Sequence, residues 1–248
     1  MPHLVGSPIF ARANAYSGPS RRALPSVQIQ VQLTVETPVV GLTDLKHRRY
    51  YPWIKRVFDF VLSLVGLLAT IPLWLLIIAA IKLDSPGPVF FMQERAGLNG
   101  RPFRLFKFRS MVADAESQLE NIRHLNQADG PVFKIRDDPR VTRVGLVLRR
   151  TSLDELPQLV NILLGHMALV GPRPPLPDEV ANYRPEDWER LRVMPGLTCL
   201  WVIRGRSDCN FDRWMEYDRE YVRHATLWLD LVILVRTLMV VVSGRGAY

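Results

Sequence analysis

FVLSLVGLLATIPLWLLIIAAI, residues 60–81, runs without a charge between Asp59 and Lys82. As one helix rising about 1.5 Å per residue, it is long enough to cover the ~30 Å hydrocarbon core of a bilayer. A transmembrane helix is therefore the simplest reading. Two features argue against it. Pro72 stands near the middle, where it removes one backbone hydrogen bond and crowds the preceding turn. Both flanks are also basic, with Lys46, Arg48, Arg49, Lys55 and Arg56 before the segment and Lys82, Arg95, Arg101, Arg104, Lys107 and Arg109 after it. The positive-inside tendency then asks for both ends on the cytoplasmic side. A hairpin broken at Pro72, entering one leaflet and returning, meets both requirements, and a kinked span is the alternative.

The rest of the composition narrows the field. The chain has 248 residues, 48% of them hydrophobic, and a formal net charge of +8, which excludes a disordered chain and suits one substantial domain. Cys199 and Cys209 are too few for a disulfide framework and match no metal spacing, so they read as packing residues in a reducing compartment. The five histidines show no zinc spacing either. Met1 to Ser20 lacks the apolar core of a secretory signal. The basic excess calls for an anionic partner, which by charge alone is nucleic acid, a phosphate-bearing substrate or an anionic membrane. The apolar segment weighs against nucleic acid.

Ahead of the membrane segment, Val27, Ile29, Val31, Leu33 and Val35 alternate with polar residues and read as one strand. After it, the breaker run Asp84 to Pro88 leads to a β-hairpin, Val89 to Arg95 and Phe103 to Arg109, turning at Asn99-Gly100. Lys107 and Arg109 emerge from the second strand's apolar ladder. Ser110 is placed to cap an amphipathic helix carrying Met111, Ala115, Leu119 and Ile122. The apolar stretch Leu227 to Val242 carries Asp230 and Arg236, so it reads as a helix in the interface or packed on the domain, not a second span.

The chemistry concentrates in Arg149-Arg150-Thr151-Ser152-Leu153-Asp154-Glu155-Leu156-Pro157-Gln158-Leu159. Pro157 belongs in a first helical turn, so a helix starts close to Asp154 and Glu155. Unsatisfied N–H groups and two arginines favour ionised carboxylates there. Such an Asp can be a nucleophile, a metal ligand or a cap, and Ser152-x-x-Glu155 also fits a capping box. In Gly171-Pro172-Arg173-Pro174-Pro175 the prolines stiffen the backbone around one arginine, either for a phosphate or as a plain extended turn.

Taken in order, Lys55 to Asp59 before the apolar helix, Lys107 to Met111, Thr151 to Leu159 and Gly171 to Pro174 resemble the bacterial sugar transferase family, the monotopic phosphoglycosyl transferases. The resemblance covers about Trp53 to Tyr248, and the closing Ser243 to Tyr248 looks like the exopolysaccharide branch. It implies an α+β, membrane-associated fold, with an N-terminal reentrant helix hairpin and a mostly helical cytoplasmic catalytic domain bearing a small β-hairpin. The parts are then a poorly ordered extension at 1–45, a basic juxtamembrane and membrane segment at 46–84, and a catalytic domain at 85–248.

The implied reaction transfers a sugar-1-phosphate from a UDP-sugar to polyprenyl (undecaprenyl) phosphate with loss of UMP, at the cytoplasmic face of the bacterial inner membrane, with Mg²⁺. By that resemblance Asp154 attacks phosphorus and carries the sugar phosphate covalently, while Glu155 assists as metal ligand or base. Asp154 and Glu155 are also the implied metal ligands, and Arg149, Arg173, Lys107 and Arg109 the phosphate and substrate contacts. Anionic lipids are further partners, nucleic acid is not, and a homodimer is left open. Trp201 to Ser207 departs from the family's usual run, as does Cys199, where a small residue is common. A non-catalytic basic membrane adaptor is the competing function.

Overall fold

The structure, a computed structural model, describes residues 51–204 and 209–243. The strand expected at 27–35, the basic residues at 46–49, the turn at 205–208 and the closing run after 243 lie outside these residues.

Helix α1 (Tyr51–Asp84) has 34 residues and is about 50 Å long. Among the described residues it is the one helix long and apolar enough to cross a membrane. Although apolar almost all round, it has two distinct faces. Trp53, Val57, Val61, Leu64, Leu68, Ile71 and Leu75 recur every three or four residues and are exposed. The opposite face carries the buried Asp59, Ser63, Ile77 and Ile81 and rests on the rest of the fold.

The break expected at Pro72 takes a different form. α1 is a single helical element with Pro72 inside it, not two helices joined by a turn. The Thr70 hydroxyl donates to the Gly66 carbonyl at 2.7 Å, supplying polar contacts in the turn that the proline crowds. Leu67 on one side of Pro72 and Leu73 and Trp74 on the other pack into separate core clusters, and both halves are thereby held against protein.

The β-hairpin forms as the sequence indicates. β1 (Phe90–Ala96) pairs antiparallel with β2 (Pro102–Phe108), with Phe90 opposite Phe108 and Phe91 opposite Lys107. Asn99 and Gly100 take positive φ, as so tight a connection requires. The amphipathic helix expected from Ser110 is reduced to α2 (Leu119–Ile122). Upstream, backbone pairing with a later loop wins: Met111 bridges Val141, and the Ser110 carbonyl accepts from Thr142 N.

That loop leads into α3 (Arg143–Arg150), capped by the Thr142 hydroxyl. A 3₁₀ turn at Leu153–Glu155 and α4 (Gln158–Leu163) follow. β3 (Ala168–Val170) pairs in parallel with β4 (Gly196–Thr198), across an intervening α5 (Pro177–Ala181) and a 3₁₀ stretch at Pro185–Arg192. The chain continues through α6 (Leu200–Arg204), α7 (Phe211–His224) and α8 (Leu227–Ser243). The fold of the described residues is thus mixed, two small sheets set among helices.

α8 packs on the domain, and its charge at Asp230 is satisfied there. The fully buried carboxylate accepts from Lys55 Nζ at 2.7 Å, Tyr51 OH at 3.1 Å and Tyr221 OH at 2.7 Å, tying α8 to α7 and to the start of α1. Trp228, Leu238 and Met239 on its other side are exposed. Cys199 is buried and Cys209 partly so, and both are free thiols.

Gly145 marks the closest approach between α3 and the strand end. A Cβ there would sit 1.9 Å from the Ser110 carbonyl oxygen, whereas one at Gly66 would meet only Leu159 Cδ1 at 3.5 Å. Gly145→Ala should cost about 3 kcal/mol or more in thermal unfolding, since backbone stands in the way, while Gly66→Ala leaves stability nearly unchanged.

Candidate active site

Asp154 and Glu155 occupy the 3₁₀ turn that feeds α4, with Pro157 at the helix N-cap as the sequence indicates. Ser152 just before them has φ of 57°, a left-handed conformation costing a non-glycine residue about 1–2 kcal/mol. The bend turns the chain out of α3 and sets Asp154 inward, only 7% exposed. The capping-box reading is not what forms: the Ser152 side chain does not cap this turn, and Glu155 gives its carboxylate to Lys107.

Lys107 is shared between the two acids. Its Nζ lies 2.7 Å from Glu155 Oε1 and 3.9 Å from Asp154 Oδ2. The strand bearing it is gripped from α4 by the fully buried Asn161, whose Oδ1 accepts from Phe106 N and whose Nδ2 donates to Arg104 O. Two hydrogen bonds therefore fix the β2 backbone immediately before the lysine.

The two acids are tuned apart. Burial pushes Asp154 up to about 6; Lys107 and Arg149 pull it down, and the charge on Glu155 adds to the rise. Burial also acts to raise Glu155, but Lys107, Arg173 and a hydrogen bond from Gln158 outweigh it and hold that carboxyl below its ordinary value. Near neutral pH, Asp154 is thus mostly ionised yet poorly solvated, which suits a nucleophile, and Glu155 is firmly anionic.

The arginines divide into two groups. Arg149, in the last turn of α3, is pinned by its Nε donating to Ser110 Oγ at 2.9 Å, and its charge acts on Asp154. Arg173 stands between the buried Pro172 and Pro174, its guanidinium 5.7 Å from the Trp214 ring and its charge felt at Glu155. Lys107, Arg149 and Arg173 therefore converge on the acid pair. Arg109 does not belong with them. Its guanidinium is buried and its terminal nitrogens donate to the carbonyls of Pro86 and Ser85 and to Ser85 Oγ, so it ties the loop after α1 to the hairpin, while its Nε is buried without a hydrogen-bond partner. Pro72 likewise lies in α1, outside this group.

Several positioning residues escaped the sequence reading. Arg95 donates to the Pro174 carbonyl at 3.1 Å, and burial together with the charge of Arg173 pushes its pKa down to about 10. Arg190, fully buried, donates to the Arg173 carbonyl at 2.8 Å and pairs with Asp218 at 2.8 Å. The Arg173 loop is therefore held by two arginines. Asn161 was legible in principle, as the lone polar side chain in the apolar run from Leu159 to Leu164.

Among the described residues no group of three or more His, Cys, Asp or Glu side chains is arranged to hold a metal. An all-protein cage is therefore absent from them. The adjacent Asp154 and Glu155 do fit the sparse donor set of Mg²⁺, which commonly takes one or two carboxylates and completes its shell with water and substrate phosphates.

The family model described as bacterial sugar transferase matches residues 50–244. The chain is 43% identical over 194 residues to the galactosyl transferase CpsE of Streptococcus agalactiae serotype III, covering 78% of this chain and 43% of that protein. It is 43% identical over 198 residues to the exopolysaccharide production protein ExoY of Rhizobium meliloti, covering 78% and 88%. A UDP-glucose:undecaprenyl-phosphate glucose-1-phosphate transferase of Escherichia coli K12 is 40% identical over 219 residues, covering 85% and 45%. The chain thus spans under half the length of the first and third relatives and most of ExoY.

Because Lys107 lowers both carboxyls, Lys107→Met should raise both pKa values. Carboxyl ¹³C titration by NMR checks this, and unchanged midpoints would remove Lys107 from the electrostatics of the site.

Proposed function

The chain belongs to the bacterial sugar transferase family, and from that premise we propose that it transfers a sugar-1-phosphate from a UDP-sugar to polyprenyl phosphate, releasing UMP. The observation that carries this reading is Asp154, a buried carboxylate kept ionisable by Lys107 and Arg149. The E. coli relative, named for UDP-glucose and undecaprenyl phosphate, suggests the donor and acceptor classes.

In the first displacement an Asp154 carboxylate oxygen attacks the sugar-bearing phosphorus of the UDP-sugar. The bond from that phosphorus to the bridging oxygen breaks, and UMP leaves with the electron pair. The residue then carries the sugar phosphate as an acyl phosphate. In the second displacement an oxygen of polyprenyl phosphate attacks the same phosphorus, the carboxylate leaves, and the sugar ends on a lipid diphosphate. Splitting the exchange lets one site serve two bulky polyanions in turn.

Lys107, Arg149 and Arg173 offset the charge that moves among the phosphoryl oxygens. Glu155, held anionic, is available to take a proton or to bind a cation. When bound by Asp154 and Glu155, Mg²⁺ would supply further charge neutralisation on the diphosphate.

The membrane arrangement follows from α1. Its first turns are bound through Lys55 to Asp230 and through Arg56 Nη2 to the Leu163 carbonyl at 2.8 Å. Its last turn is bound through Asp84 Oδ2, which accepts from Val144 N at 3.0 Å. Helix ends that both rest on one folded body belong on one side of a bilayer. α1 therefore sinks its exposed apolar stripe into the cytoplasmic leaflet of the inner membrane without crossing it, and the basic surface meets the anionic headgroups.

Asp154→Asn should abolish UMP release from UDP-sugar while leaving thermal stability equal or higher. The sign follows from burial: a carboxyl raised from 3.8 to about 6 makes the ionised side chain a cost to folding above pH about 6, a cost that vanishes below about 4. For the membrane arrangement, cysteines placed singly at Trp53 and Leu83 should both react with a membrane-impermeant thiol reagent only from the cytoplasmic side. Labelling from opposite sides would establish a span.

A further inference from the structure

The two faces of the β-hairpin are unlike. In its antiparallel register Phe91 pairs with Lys107, Gln93 with Leu105 and Arg95 with Phe103, and residues paired across a ladder share a face. Leu105 and Phe103 pack into the main core and Lys107 reaches the acid pair, so this face is turned inward. The opposite face carries, starting from the α1 end, Phe90 with Phe108, Met92 with Phe106, and then Glu94 with Arg104.

The first of these pairs is covered by α1. The Trp74 ring lies 5.0 Å from that of Phe108 and 6.1 Å from that of Phe90, and Phe108 joins Ile77 and Ile81 in a core cluster. The next pair lacks that cover. Met92 is 56% exposed and Phe90 beside it 40%, and neither they nor Phe106 join a core cluster of the described residues. Glu94 and Arg104 are charged and exposed. Within about 13 Å of strand the outer face thus passes from the flank of α1, through open aromatic and thioether surface, to a pair of opposite charges.

Three features identify what covers the open pair. Through Phe90 and Trp74 it is continuous with the apolar surface of α1, where the neighbouring Leu75 and Leu76 are exposed. Its far border is charged, as a face leaving hydrocarbon for headgroups requires. The exposed cations Lys82, in the last turn of α1, and Arg101 and Arg104, on the hairpin, also suit anionic headgroups. Resting on the placement of α1 in one leaflet proposed above, we infer that the outer face of the hairpin is a second membrane contact. Phe90, Met92 and Phe106 enter the acyl-chain border of an anionic bilayer, and Glu94 and Arg104 stay among its headgroups. Lipid then backs, from outside, the strand that Asn161 holds by its backbone and that carries Lys107 between Phe106 and Phe108.

Spin labelling of the full chain in nanodiscs containing phosphatidylglycerol tests this. A nitroxide is placed singly by Met92→Cys, Glu94→Cys or Leu68→Cys, with Cys209→Ser removing the partly exposed native thiol. Each of these three positions is exposed, so the label displaces no core side chain. Collision with oxygen, which concentrates in hydrocarbon, should exceed collision with a water-soluble nickel chelate severalfold at Leu68 and Met92, and the order should reverse at Glu94. Nickel access at Met92 with Leu68 still in lipid overturns the inference and leaves the placement of α1 standing. Nickel access at Leu68 as well overturns both. A label at Met92 shielded from both probes and broadened by a second nitroxide assigns the face to another copy of the chain, which also overturns the inference.

The unaltered chain gives an independent answer that does not depend on any variant folding. Phosphatidylglycerol with a diazirine on its acyl chain should label Phe90, Met92 or Phe106 as well as the outer stripe of α1, with the sites located by fragment-ion mass analysis. Label confined to α1 contradicts the inference.

Discussion

One ammonium group is divided between two neighbouring carboxylates at a place where burial would otherwise protonate one of them, and the rest of the site is arranged around that balance. Lys107 reaches Glu155 at 2.7 Å and Asp154 at 3.9 Å, so the closer acid is held anionic and the buried one is brought to about 6. A pair of adjacent acids with separated proton affinities can divide labour. In the proposed reaction Asp154, the less solvated, is the nucleophile, and Glu155 is the steadier negative charge. The balance tolerates little displacement, which gives a physical reason for the two Asn161 hydrogen bonds to β2 and for the Ser152 bend.

The long apolar helix belongs to the same construction. α1 packs along α4 and α3, the two helices flanking the acid turn, and the polar cluster of Tyr51, Lys55, Tyr221 and Asp230 secures its first turns to α8. Burying Asp230 without these three donors would leave an unpaired charge in an apolar helix, which is strongly unfavourable. An element that looks like a simple anchor in the sequence is therefore one side of the scaffold holding Asp154, and in the proposed function placing the domain on the membrane and placing the nucleophile are one act of folding.

The sequence was informative where periodicity or fixed turn chemistry governs structure. The β-hairpin was legible from its alternating strands and Asn99-Gly100, the start of α4 from Pro157, and the acid pair from its position before that helix. It failed where distant segments decide. β3 and β4 have three residues each and pair only with one another, too short for any pattern to register. The helix expected after Ser110 gave way to backbone pairing with residues 140–142, a contact no local propensity announces. Arg109 reads as a phosphate contact because it alternates with Lys107, whereas in the fold its two terminal nitrogens also hold the carbonyls of Ser85 and Pro86, a contact that the sequence does not announce. The roles of Arg95 and Arg190 were hidden for the same reason, since each acts by holding the carbonyl of a residue far away in sequence.

The most direct test of the account is mass analysis of the protein quenched after exposure to UDP-sugar with no lipid acceptor. The account predicts one added sugar phosphate per chain, mapped to the peptide containing Asp154 and removed when polyprenyl phosphate is supplied. UMP formation with no covalent mass at that residue, or an adduct at another residue, would contradict it.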